Sequence, residues 1–153
     1  MVQAQILQFL IFAVISFPIC NHDILHHRIL NSHLLKSAAI LIPFTVVVEL
    51  LQHGYLDIFR AMLCSTLFGI SILLLSIMSG MSLGMGDIKL ITLLSAVLAL
   101  TTLAQYMDWL VWVIACSGIS LLFQVVRWRT VKGRIAFAPS LMAGTLVYLA
   151  TRI

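Results

Sequence analysis

The sequence predicts an all-α fold, a polytopic membrane helix bundle with about six transmembrane helices, on three observations. Of 153 residues, 62% are hydrophobic and only 9% are charged. A soluble domain of this size has to cover itself with polar groups and cannot hide that much apolar surface. The apolar residues also fall in runs close to the ~20 residues that a bilayer asks of a helix. Finally, the turns between runs are short, so consecutive helices must be antiparallel neighbours. No polar run is long enough for a second domain, and one transmembrane domain over residues 1–153 is expected.

The runs are 2–20, 36–52, 61–79, 90–107, 109–126 and 135–151. The first is not preceded by Lys or Arg, and "SFPIC" makes a poor small-residue cleavage site, so a retained helix is expected rather than a signal peptide. The second contains Pro43 and Glu49. Pro43 and Pro139 are expected to kink their helices, with neighbouring helices satisfying the freed carbonyls. Trp109, Trp112 and Trp128 lie near run ends, where an aromatic belt would sit. Cys20, Cys64 and Cys116 are far apart in apolar sequence, with no C-x-x-C, and read as buried small side chains.

The net charge of +4 is explained by orientation, and no nucleic acid partner is expected. With the N-terminus outside, the cytoplasmic turns hold Arg28, Lys36, Lys89, Arg127, Arg129, Lys132 and Arg134, against Arg60 and Arg152 outside. "RWRTVKGR" (127–134) is the strongest vote for that orientation. Glu49, Asp57 and Asp108 then fall at the outer face, leaving Asp23 and Asp87 as the cytoplasmic-side carboxylates.

Those two acids share one membrane depth, Asp23 at the inner end of the first helix and Asp87 at the inner start of the fourth. Ionisable groups at such positions are expensive and point to function. Two carboxylates facing one bundle can share a proton, since repulsion and partial desolvation raise one pKa and leave the other group ionised. The ionised member can then deprotonate a water while the protonated one polarises a carbonyl, the chemistry of an aspartic protease. The bland alternative is that both acids only cap helices at a wet interface. Gly80, Gly84 and Gly86 precede Asp87 and leave room for an extended chain beside the carboxylate, although "GMSLG" could equally serve tight helix packing.

Three segments together resemble a known family. "GMGDIKL" (84–90) is similar to the Gly-x-Gly-Asp-x-Lys-Leu motif of the type IV prepilin peptidases, which are membrane aspartic proteases. "DILHHRILN" (23–31) is similar to that family's first-aspartate motif, an Asp followed by a basic stretch and Ile-Pro-Asn. Asn31 matches, while Leu30 stands where the family usually has proline. "FAPSLMAG" (137–144) resembles the Phe-Ala-Pro segment of the family's last helix.

The resemblance implies a catalytic pair of Asp23 and Asp87, with Gly84, Gly86, Lys89 and Asn31 supporting it or binding substrate. It implies a prepilin or pseudopilin substrate, cut between a short basic leader and an apolar N-terminal helix, at the cytoplasmic side of a bacterial inner membrane. The paired cysteine motifs linked to N-methylation in larger members are missing, so the chain looks like the short peptidase-only form of tight-adherence pilus systems. Membrane lipid is an expected partner, no cofactor is implied, and self-association is left open.

His22, His26, His27 and His33 crowd the first turn, and His22 with His26 has i, i+4 spacing, but no His-Glu-x-x-His is present and no metal is expected. Lys89, two residues from Asp87, diverges from it on a helix and is expected to snorkel toward lipid phosphates. Two other functions compete. Another Gly-x-Gly-Asp intramembrane protease would share the short motif alone. A small ion or proton carrier would use the same aspartates as relay groups, usually near mid-membrane and with internal repeats that this sequence lacks.

Overall fold

In a computed structural model of the chain, the described residues are 2–26, 28–52, 54–80, 84–128 and 137–152. They form six helices and no strand: α1 (Val2–His26), α2 (Asn31–Gln52), α3 (Tyr55–Met78), α4 (Met85–Val97), α5 (Leu103–Trp128) and α6 (Ala138–Ala150). The stretches Ile6–His26, Asn31–Gln52, Tyr55–Met78 and Leu103–Phe123 are long and apolar enough to cross a membrane. Large apolar side chains cover the outside of these helices, with Leu51 and Met78 exposed at 83% and 84%. Lipid, not water, is the solvent that such a surface fits. The protein is an all-α membrane helix bundle.

The bundle is arranged around two short helices. α4 packs against α2, α3 and α6, and α6 packs against α1, α4 and α5. Ile88, Leu90, Ile91, Leu94, Ser95, Ala96 and Val97 of α4 are all buried. Lipid tails are as apolar as leucine, so helices in a bilayer associate by close packing of small residues more than by hydrophobic burial. Gly144 of α6 is such a contact, because a Cβ there would fall 2.5 Å from the Cα of Val113 in α5.

The expected fourth run, 90–107, is corrected. α4 stops at Val97, α5 begins at Leu103, and the expected fifth helix 109–126 is the middle of a longer one. With 13 residues, α4 is about 20 Å long and cannot span a hydrocarbon core of about 30 Å. Between the two helices Ala99 adopts a left-handed conformation with φ 48°.

Local hydrogen bonds enforce the break. The backbone N–H of Thr102 donates to Gln105 Oε1 at 3.2 Å, and the N–H of Gln105 donates back to Thr102 Oγ1 at 3.4 Å. This is a capping box, Thr-x-x-Gln, and it starts α5. Trp109 is corrected too: it is fully buried, and its Nε1 donates to Thr145 Oγ1 at 3.0 Å, so it joins α5 to α6 instead of standing at an interface. Pro139 occupies the first turn of α6, where its missing N–H costs nothing, so it starts a helix rather than kinking one. Pro43 does lie inside α2. The basic residues Arg129, Lys132 and Arg134, and the side chain of Arg127, lie outside the described residues.

Candidate active site

Asp23 sits in the last turn of α1, where its own helix offers only unpaired carbonyls and a carboxylate is disfavoured. A second helix supplies the compensation. The backbone N–H of Ala138, at the start of α6, donates to Asp23 Oδ2 at 3.0 Å, and the carboxylate is only 4% exposed. The first turn of α6 has no side-chain cap, so Asp23 takes the place of one across the bundle.

Asp87 lies in the first turn of α4, outside the four membrane-crossing stretches, and is half-buried. Burial, and after it the negative charge of Asp23, hold the Asp87 carboxyl above the ordinary carboxylate range. The two acids are thus close enough for one to feel the other, though no hydrogen bond joins them among the described residues. Gly84 is the N-cap of α4, with no side-chain cap, and its carbonyl accepts the Asp87 N–H at 2.9 Å. A Cβ on Gly84 would sit 3.0 Å from Asp87 Oδ2, so the glycine keeps one side of that carboxyl open.

The turn between α1 and α2 closes the site from the other side. A Cβ on Gly86 would lie 3.1 Å from the Cβ of Ile29, which places the start of α4 against this turn. Lys89 Nζ donates to Asn31 Oδ1 at 3.2 Å, a second link between the two segments. The Leu30 carbonyl accepts the N–H groups of His33 and Leu34 and starts α2, so leucine at that position is compatible with a tight turn. His22 Nδ1 lies 2.9 Å from the Arg28 carbonyl oxygen, and the His22 ring stacks on His26 with centroids 4.3 Å apart. His33 approaches the same ring at 5.6 Å. His27 lies outside the described residues.

All six residues that the sequence singles out converge at one end of the bundle: Asp23 and Asn31 from the α1–α2 segment, and Gly84, Gly86, Asp87 and Lys89 from the start of α4. The residues that sequence reasoning missed are Ala138, which acts through its backbone, and Ile29, the surface against which Gly86 packs. A signal for Ala138 was present, since proline in a first turn marks the N–H groups of a helix start. Comparison of the chain with family models, curated proteins and solved structures finds no match.

Proposed function

We propose that this protein is a membrane aspartic endopeptidase that removes the leader of a type IV prepilin or pseudopilin. The observation that carries the reading is the Asp87 carboxyl, pushed up by burial and by Asp23 at the point where the three motif-bearing segments meet. Two carboxyl groups with different environments are the requirement for splitting acid and base roles at neutral pH. In this reading Asp87 is the proton donor and Asp23 the base, with the Ala138 N–H donating to the Asp23 carboxylate.

The reaction follows from that division. Asp23 takes a proton from a water, and the water oxygen attacks the scissile carbonyl carbon. Asp87 gives its proton to the carbonyl oxygen, forming an uncharged tetrahedral intermediate. When the C–N bond breaks, the proton held by Asp23 passes to the leaving amine, and a hydroxyl proton of the intermediate returns to Asp87. The substrate must present an extended peptide, because a helix hides its carbonyls in its own hydrogen bonds. Gly84 leaves the open side that such a chain needs.

In this reading the enzyme works in a bacterial inner membrane, and the basic asymmetry of the sequence supports a cytoplasmic position for this end of the bundle, where a basic leader would remain. Both acids at one end of the helices suit hydrolysis at a membrane face better than a relay across it. Purified protein in detergent, mixed with a prepilin of basic leader and apolar helix, is expected to release the leader, seen as a mass loss confined to the N-terminus. An unchanged prepilin mass under conditions where the protein stays folded would contradict the proposal.

A further inference from the structure

On the outward side of α4, away from Asp23, Lys89 stands where two apolar grooves meet. One, between α2 and α4, has a volume of about 340 Å³ and is walled by Leu34, Leu35, Ala38 and Leu93. The other, between α3 and α4, has a volume of about 360 Å³ and is walled by Ile70, Leu73, Met85 and Ile88. Lys89 lines both. Its side chain is exposed, and its ammonium donates to the neutral Asn31 amide, which leaves the charge uncompensated and donors to spare. No carboxylate pairs with it among the described residues.

A lone cation at the head of two open apolar furrows is the complement of an amphiphile with one anionic head and two tails. A water-soluble anion would satisfy Lys89 and leave both furrows bare. A single-tailed amphiphile would leave one bare. Basic sites between transmembrane helices bind anionic lipid head groups for the same reason. Snorkelling places the ammonium at phosphate depth while its methylenes join the groove walls. We propose that Lys89 holds the phosphate of an anionic diacyl glycerophospholipid, with one acyl chain on each side of α4. The proposal shares Lys89 and Asn31 with the candidate active site, but its test reads lipid retention and not cleavage, so the failure of one is distinguishable from the failure of the other.

The lipid would act as packing material for a helix that is too short to fill the bilayer, bridging α2 and α3 where α4 emerges between them. Native mass spectrometry of the full chain in detergent tests this with phosphatidylglycerol and phosphatidylcholine of matched chains. One phosphatidylglycerol per protein is expected, preferred over phosphatidylcholine by about fivefold, the worth of one interfacial lysine charge. Lys89→Met should abolish that preference and Lys89→Arg should keep it. Ala38→Phe fills the first groove and Thr66→Phe, at an α3 threonine that lines the second, fills the other, and each should weaken phosphatidylglycerol retention with Lys89 intact. Size-exclusion chromatography checks that these outward-facing variants remain folded, and either groove variant suffices if the other misfolds. Equal retention of both lipids, an unaltered preference in Lys89→Met, lysophosphatidylglycerol bound as tightly as the diacyl lipid, or displacement by inorganic phosphate would each overturn the proposal.

Discussion

The two ends of α4 are built on opposite plans. At its C-terminal end the Val97 carbonyl accepts from Gln8 Nε2 at 2.9 Å and from Thr45 Oγ1 at 3.2 Å, while Cys64 Sγ reaches the Thr101 carbonyl at 3.7 Å. Three helices thus satisfy backbone groups that a helix end in lipid would otherwise leave bare. At its N-terminal end there is no side-chain cap, Gly84 leaves one side of a half-buried carboxyl open, and that carboxyl feels the charge of a second acid. One end is tied down and the other is left with costly groups. The difference teaches that the cost is local: a firmly held short helix can present a half-buried carboxyl beside a second acid without dissolving the bundle.

That comparison can be broken at the open end first, where the largest effect is expected. Gly86→Val would drive side-chain carbon into Ile29 and move the start of α4 off the α1–α2 turn. Displacement of a reacting group by about an ångström costs up to ~100-fold in rate, so prepilin cleavage should fall by about that factor. The stability loss from overpacking should be about 1–3 kcal/mol. A kinetic assay beside a thermal melt separates the two.

The tied end answers differently. Gln8→Leu with Thr45→Val removes both side-chain donors from the Val97 carbonyl and should lower stability by about 1–3 kcal/mol, read from the melting temperature in detergent. Catalysis by the fraction still folded should be little altered, because Asp23 keeps the Ala138 N–H and the start of α4 keeps its contact with the α1–α2 turn. A large loss of turnover at full folding would show that the two ends are not separable.

The smallest effect sharpens the comparison through pH. The folded Asp87 carboxyl lies above its ordinary value of 3.8, so folding becomes costlier as pH rises from 3.8 through the raised folded value. Well below 3.8 both folded and unfolded chains carry the proton and the cost vanishes; above the folded value it is fully present. Asp87→Asn lifts this cost, and should therefore melt at or above the wild-type temperature at pH 8, with the gap closing toward pH 4. A variant that melts lower at pH 8 would mean that Asp87 is a stabilising cap.

Much of this contrast was legible in the sequence, and the remainder was not for definable reasons. α1, α2, α3 and α6 announce themselves by apolar runs bounded by polar turns. The α4–α5 boundary does not, because "LITLLSAVLALTTLAQ" (90–105) is nearly continuous in hydropathy. The signal for the break was the Thr-x-x-Gln spacing of Thr102 and Gln105, which hydropathy ignores. Trp109 was misplaced because proximity to a run end says nothing of which face a residue occupies, and its partner Thr145 is remote in sequence. Asp23 and Asp87 were legible because a charge in an apolar chain is conspicuous. Pro139 marked a helix start, but not that the Ala138 N–H would meet a carboxylate, since every residue but proline carries that donor and only the fold decides which one does.

The central claim is that Asp23 and Asp87 act as one catalytic unit, and single and double asparagine variants test it most directly. Asparagine keeps size and hydrogen bonding but cannot exchange the proton. Cleavage of a basic-leader prepilin should vanish in Asp23→Asn and in Asp87→Asn alike, with no further loss in the double variant, because removing either member disables the pair. Glutamate at either position moves the oxygens by about a bond length and should leave activity severely impaired. If either asparagine variant, monodisperse in detergent, still cleaves at near the wild-type rate, the two carboxylates are not a catalytic pair.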